Sequence, residues 1–506
     1  LEYSDFGSWE AVSAATAPLY DPKDSAQTNP ELAAEISRIK ALSPDPKVRT
    51  AAALRLVQDK VRYLFNGLAL GNYVPVSPAE TWRLRFGDCK AKTILLIALL
   101  HELGIDAEPA MVSATHREGT KDRLPGYQAF DHVIVKARID GTIYWLDGTS
   151  NGDRIEDLGV VPNFGIALPV MAKGSALEVL TATAPLRPQL ETTLAIDAKA
   201  GLAFPASYTA TVVLRGPSAG IMKAGQLVMP ANAFDEALDS VVGDAVADAT
   251  VTSRTIRFDE DRGEASITTR GLIDIDWSVS EGHRRASWSS FLGNQTLEAE
   301  RNNAETANIP VSLAMPTYIQ RHTTILLPRQ GAGFALEGRT EFLGQVAGAD
   351  IGLAAKLEAG VVRIEESTRS RSVELPASGL ADARAELAKA QAVPLKISAP
   401  SDYPDRSAEL SASKGSKALT ALVALYDEGI RANPKSLALL ADRAVFYEGI
   451  GENAKAIADL GALLKLEPDV DTYLWRARLR PDKDFAEAMV DIAAARALKP
   501  TSQEAL

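Results

Sequence analysis

Residues 86–104 read Phe86-Gly87-Asp88-Cys89-Lys90-Ala91-Lys92-Thr93-Ile94-Leu95-Leu96-Ile97-Ala98-Leu99-Leu100-His101-Glu102-Leu103-Gly104. From Lys90 to Leu103 the pattern predicts a helix that is apolar on most faces, capped at its C-terminus by Gly104. Such a helix belongs at the centre of a domain. Cys89, the only cysteine of the chain, sits immediately before it. The unpaired N–H groups of the first turn and the helix dipole place partial positive charge beside the sulfur, which favours the nucleophilic thiolate. Gly87 allows the close backbone approach of a tight turn leading into a helix. The Cys89 N–H is placed to bind the oxyanion that thiolate attack creates. The competing reading is a buried small hydrophobe, the commonest fate of a free cysteine. With one cysteine, a disulfide scaffold within the chain is excluded.

A thiolate nucleophile needs a base, and the chain has five histidines. His101 lies twelve residues down the same helix, about 18 Å from Cys89 at 1.5 Å per residue, and cannot serve. His283 and His322 fall in a later domain. His132 opens a predicted strand, His132 to Ile139, and stands at an edge from which its ring can enter a cleft. His116, in the long polar loop Ala114 to Phe130, is the weaker rival. Asp140-Gly141 is a strong hairpin signal joining this strand to the next, Thr142 to Leu146. Asp147 follows directly, so the hairpin brings the start of one strand beside the end of the other. A His–carboxylate hydrogen bond is natural at such cross-strand distances. An earlier strand is predicted over Ala107 to Ser113.

Three motifs now stand in order: Gly87-Asp88-Cys89-Lys90 before a leucine-rich helix, Phe130-Asp131-His132-Val133, and Tyr144-Trp145-Leu146-Asp147-Gly148-Thr149. Their functional residues are 43 and 15 apart. Together with the lead-in Val61-Arg62-Tyr63 and Trp82, they resemble the bacterial transglutaminase-like family of the papain-like fold, over about residues 45–170. The resemblance implies Cys89 as nucleophile, His132 as base and Asp147 as orienter. Two departures stand out. Gly148 replaces the family's usual proline, and Ala91 replaces an acidic residue two after the cysteine.

Around the triad, Trp82 and Asp88 are candidate substrate-binding or oxyanion-site residues. Trp82 reads equally as core, and Asp88 as a capping carboxylate at the helix start. Asn66 is a further candidate oxyanion donor. Lys90 and Lys92 read as solvated helix-start residues. No cysteine pair, His-Glu-x-x-His pattern, calcium-loop spacing or glycine-rich phosphate loop is present, so neither a metal nor another cofactor is expected.

Outward from this region, the sequence divides. The first 30 residues read as irregular. Helices are predicted over Glu31–Leu42, Val48–Phe65 and Thr81–Phe86. From about residue 188, period-two patterns appear in Glu191–Ile196, Tyr208–Leu214, Thr250–Phe258 and Glu264–Trp277, interrupted by a helical stretch over Ser218–Val246. Asp261-Arg262-Gly263 reads as a hairpin turn. Further strands are expected near 322–327, 333–337, 361–366 and 370–375. A helix follows over Ala381–Gln391, then a polar linker over Val393–Ser411. In the tail, Pro434, Pro468 and Pro500 stand 34 and 32 residues apart. Ala444, Tyr447, Ala456, Leu460, Ala488, Ile492 and Ala495 fall where helix–turn–helix repeats need small or bulky apolar residues. This tail resembles the tetratricopeptide repeat, against the plainer alternative of a helical bundle.

The fold expected is α+β and multidomain. It has a papain/transglutaminase-like cysteine catalytic domain over 1–180, a β-rich domain with a helical insert over 185–400, and tetratricopeptide-like repeats over 412–506. At 506 residues, 46% hydrophobic and 24% charged, the composition is that of a globular protein. The net charge of −12 argues against nucleic-acid binding. No apolar run is long enough for an integral membrane segment. The start at Leu1 reads as a processed or truncated chain, and the resemblance implies export to the periplasm. The function expected is thiol-dependent hydrolysis of peptide or isopeptide amide bonds, with a peptide or protein substrate and a protein partner at the tail. True transamidation and a non-catalytic binding protein with a relic core are the alternatives.

Overall fold

The buried apolar helix organises the first region in a computed structural model that describes residues 2–22, 29–64, 73–243, 246, 249–280, 282–291, 293, 296–297, 307–313, 317–370, 374–413 and 416–499. Its elements are α1 (Trp9–Thr16), α2 (Pro30–Leu42), α3 (Pro46–Lys60), β1 (Arg62–Tyr63), α4 (Pro78–Leu84), β2 (Phe86–Gly87), α5 (Cys89–Glu102), β3 (Asp106–Val112), β4 (His132–Ile139), β5 (Thr142–Leu146), β6 (Gly165–Pro169) and β7 (Glu178–Leu180). Every α5 residue from Cys89 to Leu100 is buried. The helix lies between Leu32, Ile39 and Val57 of α2 and α3 on one side and Val135, Ala137 and Leu146 of the sheet on the other. The sheet runs β5-β4-β3-β6-β7, antiparallel throughout. Asp140 and Gly141 both take positive φ, 49° and 78°, the geometry that a two-residue hairpin requires.

Pro30, Pro46 and Pro78 start helices rather than merely interrupting them. Proline suits the first helical turn, where its absent N–H is not needed. Asn29, Asp45 and Ser77 cap those helices by accepting from first-turn N–H groups. Two expectations are corrected. The first 30 residues are not wholly irregular, because Ser8 caps the helix Trp9–Thr16. The helix expected over Val48–Phe65 ends at Lys60, because Arg62 and Tyr63 leave it to pair in parallel with Phe86 and Gly87.

The second region carries β8 (Leu190–Asp197), β9 (Ala206–Arg215), α6 (Pro217–Val228), α7 (Ala231–Gly243), β10 (Thr250–Asp259), β11 (Glu264–Ile273), β12 (Ser278–Ser280), β13 (His283–Ser287), β14 (Val311–Ser312), β15 (Tyr318–Leu326), β16 (Ala335–Glu337), β17 (Glu341–Val346), β18 (Ala349–Glu358), β19 (Val361–Ser370), β20 (Glu374–Leu375), α8 (Leu380–Gln391) and β21 (Lys396–Ser398). Eight of these strands form one sheet in the order β10-β11-β9-β8-β15-β19-β18-β17. Two antiparallel four-stranded halves meet at its middle, where β8 and β15 pair in parallel. Strict alternation of burial along β9 marks a sheet with one packed face, and residues of α6 and α7 (Ala219, Met222, Phe234, Leu238) contribute to the core beneath it. The single helical stretch expected over Ser218–Val246 is two helices, parted at Met229-Pro230. β17 and β18 were not expected, and the predicted strand over Glu264–Trp277 stops at Ile273. Residues 371–373 of the strand expected near 370–375 lie outside the described residues.

The segment read as a polar linker is not free. Its strand β21 pairs with β13 and β16, and Glu409 on α9 (Arg406–Ser413) accepts from the backbone N–H groups of Leu202 and Ala203 at 2.9 Å each. Beyond it lies an all-α region of α10 (Lys417–Ala432), α11 (Leu437–Gly449), α12 (Asn453–Leu466), α13 (Val470–Leu479) and α14 (Phe485–Leu498), each helix packed on the next. Ala444, Ala456, Leu460 and Ala495 are fully buried between these helices, and Ala488 and Ile492 partly so. Phe204 and Leu272 of the sheet region join the same apolar cluster as Leu422 and Tyr426. The chain is therefore mixed α+β and multidomain, with a large β-sheet domain and a C-terminal all-α region. No helix among the described residues is long and apolar enough to cross a membrane.

The first two regions meet at the β10–β11 hairpin. Arg154 donates from Nε to the Glu260 and Asp261 carbonyls at 3.1 and 3.2 Å, and from a terminal nitrogen to the Glu260 carbonyl at 2.5 Å. Gly263 stands so close to this junction that a Cβ there would lie 2.5 Å from the Gly152 carbonyl oxygen.

Candidate active site

Asp88 is the N-cap of α5. Its side chain accepts from the Ala91 N–H at 3.0 Å and pairs with the Lys90 ammonium at 2.6 Å. This fixes the turn that carries Cys89. A Cβ on Gly87 would lie 2.9 Å from the Ala91 Cβ and 3.2 Å from the Thr81 Cγ2, so only glycine lets the turn close on α4. One turn further on, the Thr93 hydroxyl donates to the Val133 carbonyl at 3.0 Å and pins the start of α5 to the start of β4.

That contact holds the start of α5 against the start of β4, and Cys89 and His132 interact electrostatically. The imidazole Nε2 bonds to the Asp147 carboxylate at 2.9 Å, which leaves Nδ1 for the sulfur. The β4–β5 ladder ends at Val135 opposite Leu146, so Asp147, one residue beyond that pair, meets His132, three residues beyond it, diagonally. The other oxygen of Asp147 accepts from the Thr149 N–H at 2.8 Å and its hydroxyl at 2.7 Å. Gln58 donates from its side-chain amide to the Asp147 backbone carbonyl at 2.9 Å and to the Asp153 carboxylate at 2.6 Å. A tie thus runs from Asp147 through Gln58 to Asp153 and Arg154, and from there to the hairpin of the second region.

The electrostatics follow the geometry. Burial drives the His132 pKa down, but the Asp147 carboxylate and Cys89 outweigh it and raise it to about 10. Burial likewise pushes Asp147 up, and the imidazolium with the Thr149 donors pulls it below the usual range. Because the folded pKa of His132 lies above that of a free imidazole, ~6.5, the stability its charge contributes is whole below that value. It is lost as pH rises through about 10. The expected outcome is an imidazole nitrogen resonance for His132 that keeps its protonated shift from pH 6 to 9, measured by NMR titration on selectively labelled protein. A midpoint near the free value would contradict the pairing.

Lys90 and Lys92, expected in solvent, are buried at 0% and 1% exposure. Lys90 pairs with Asp88, and Lys92 donates to the Val61 carbonyl at 2.5 Å. Burial lowers the Lys92 pKa to about 8, against the opposing pull of Asp147 and Asp59. Trp82 lies in the helical core with Leu95 and Leu96, its ring covered by the Arg85 guanidinium 3.6 Å away. His116 accepts from Arg123 at 2.9 Å, and His101 donates to the Ala107 carbonyl at 2.8 Å. Asp131 accepts from Ser113, Ala114 and Thr115 and shapes the loop before β4. Asn66 lies outside the described residues.

Three aromatic residues of the site carried no signal strong enough to single them out as site residues. Phe164 faces the His132 ring, with centroids 5.4 Å apart. Tyr63, on β1 beside Gly87, is half-exposed. Burial and then the charges of Cys89, Asp147 and Asp88 push its phenol up to about 12. Tyr20 is buried near the same charges. Only Tyr63 sits in a stretch the sequence motif touches; Phe164 and Tyr20 come from distant segments.

Cys89 is 2% exposed, and the His132 and Asp147 side chains 12% and 17%. The accessible groove expected from the sequence is thus a narrow opening. A cavity of about 1230 Å³ lies elsewhere, between α3 and the β10–β11 hairpin, and none of Cys89, His132 and Asp147 lines it. Among the described residues no three His, Cys, Asp or Glu side chains converge as a metal site.

No family model and no curated protein matches the sequence. Among solved structures, one described as a "putative protease" from Parabacteroides distasonis is similar at 12% identity and a TM-score of 0.43. The likeness covers 78% of this chain, which spans 59% of that one. Similarity at this level assigns neither fold nor activity.

Proposed function

We propose that the chain is a thiol-dependent hydrolase of peptide or isopeptide amide bonds, acting through an acyl-enzyme on Cys89. The observation that carries this reading is the His132–Asp147 hydrogen bond at 2.9 Å, together with the electrostatic coupling of that imidazole to Cys89 at the start of α5. With His132 an imidazolium, a thiolate beside it is the matching charge. The thiolate attacks the carbonyl carbon, and the Cys89 N–H donates a hydrogen bond to the oxyanion that forms. As the C–N bond breaks, His132 gives its proton to the leaving amine. It then takes a proton from water, whose oxygen attacks the acyl-enzyme; the C–S bond breaks, the acid leaves, and the thiolate–imidazolium pair is restored. Asp147 holds the ring throughout. Asp88 positions the turn by capping, since an anion cannot hold an oxyanion, and Trp82 supports it from the core.

The near-complete cover over the sulfur favours a second reading, transamidation, because a site that excludes water leaves the acyl-enzyme for an amine. On either reading the active region is the transglutaminase-like domain over 1–180, followed by the β-rich domain over 185–400. The tail over 412–506 is a tetratricopeptide-like module for a protein partner, in an exported, periplasmic protein.

Denatured casein incubated with a fluorescent primary amine separates these readings. Fragments on a gel without labelled substrate indicate hydrolysis, and labelled intact substrate indicates transamidation. Either signal is expected to vanish in Cys89→Ala. Neither signal from the wild-type chain, together with iodoacetamide labelling no faster than that of a free thiol, returns the chain to a binding protein.

A further inference from the structure

Tyr63 stands on β1, and hydrogen bonds on either side fix the strand to the turn that carries Cys89. The Arg62 N–H donates to the Arg85 carbonyl at 2.9 Å, and the Leu64 N–H donates to the Gly87 carbonyl at 3.0 Å. Just before the strand, the Val61 carbonyl accepts from the ammonium of Lys92, a residue 1% exposed and one turn beyond Cys89 on α5. A buried ammonium is costly unless it is bonded, so this tie holds β1 firmly to the cysteine helix.

The ladder also sets the direction of the ring. Tyr63 pairs with Gly87, and residues paired across a ladder send their side chains to the same face. A Cβ on Gly87 would meet Ala91, Thr81 and Lys92, so that face abuts the first turn of α5. Arg62 and Phe86, paired on the other face, are exposed. Tyr63 therefore leaves β1 beside the turn that bears the sulfur, and it still keeps 41% of its surface in solvent. The charges of Cys89, Asp147 and Asp88 act on its phenol, in keeping with this placement.

The charged groups next to the sulfur already have partners: Asp88 pairs with Lys90, and His132 with Asp147. The surfaces left for an arriving substrate are aromatic. Phe164 lies 5.4 Å from the imidazole, centroid to centroid, and Tyr63 stands beside the cysteine turn. We infer that Tyr63 is a specificity-determining residue, whose ring binds an apolar side chain on the substrate residue that carries the attacked carbonyl. The inference rests on the acyl-enzyme reading above. An apolar group moved from water onto such a ring gains in proportion to the area it buries. A ring held from two sides offers that area without first having to be ordered.

The test gives the full-length chain two p-nitrophenyl esters, of N-acetylphenylalanine and of N-acetylglycine, which differ only in the side chain. The quantity read is the ratio of their second-order rate constants for the Cys89-dependent burst of p-nitrophenol, each corrected for spontaneous hydrolysis. The wild type is expected to favour the phenylalanyl ester by about ten- to a hundredfold. Tyr63→Ala is expected to lower that ratio about tenfold, and Tyr63→Phe, which keeps the ring, to hold it within about twofold. Alkylation of Cys89 by iodoacetamide reports the sulfur alone, and in Tyr63→Ala it is expected to stay within about twofold of the wild type. A wild type without preference between the esters overturns the inference. So does an unchanged ratio in Tyr63→Ala, which marks a ring that only covers the helix start, and so does a Tyr63→Phe loss as large as that of Tyr63→Ala. Rapid alkylation with no burst from either ester overturns the acyl-enzyme reading itself, and the inference with it.

Discussion

Replacing Cys89 by alanine is expected to lower acyl transfer by about 10⁴-fold or more, measured as amide cleavage, amine incorporation or the ester burst. The size of the effect follows from the chemistry. Without sulfur there is no covalent intermediate, and the chain holds no second cysteine to replace it. The fold is expected to survive, because the change removes one side-chain atom from a helix that the Asp88 cap and the Thr93 hydrogen bond hold in place and whose residues from Cys89 to Leu100 are all buried. A thermal melt displaced by no more than a few degrees, alongside lost activity, separates the chemical role from a structural one. Retained activity in this variant places the nucleophile elsewhere and removes the basis of the proposed function.

Asp147→Ala is expected to cost about 10³–10⁴-fold in the same assays. Cys89 keeps its place at the helix start, but His132 loses the bond that fixes its orientation. Burial then acts unopposed by that carboxylate, so the imidazole pKa drops from about 10. The ring becomes neutral at physiological pH, and the charge partner of the thiolate is gone. The two losses are distinguishable. Iodoacetamide alkylation near pH 6.5 is expected to slow along with catalysis, and the NMR signal of His132 is expected to move to its unprotonated position. Normal rates with a shifted imidazole resonance would show that the charge on His132 is dispensable.

The elements that deliver these groups were legible where local chemistry is strong. The Asp140-Gly141 turn has few other conformational options, and it set the hairpin that carries His132 and Asp147. The apolar run from Ile94 to Leu100 had to be a core helix. Where a residue's state depends on a distant partner, the sequence misled. Lys90 and Lys92 looked solvated because charge normally seeks water. They are buried because Asp88 and the Val61 carbonyl supply replacements. β17 and β18 escaped notice because Gly344, Gly348, Gly352 and several alanines dilute an alternation that Ile351, Leu353 and Ala355 nonetheless carry inward.

In the proposed reaction, the Gln58–Asp153–Arg154 tie gives the neighbouring sheet a mechanical share. Arg154, 8% exposed, finds its acceptors on Glu260 and Asp261, across the junction. A fragment trimmed near residue 185 strands that guanidinium without its anchorage and slackens the loop that begins at the triad carboxylate. If the proposed acyl transfer is the activity, the minimal working unit is larger than the segment that bears Cys89, His132 and Asp147, and that segment excised alone is expected to be a feeble catalyst.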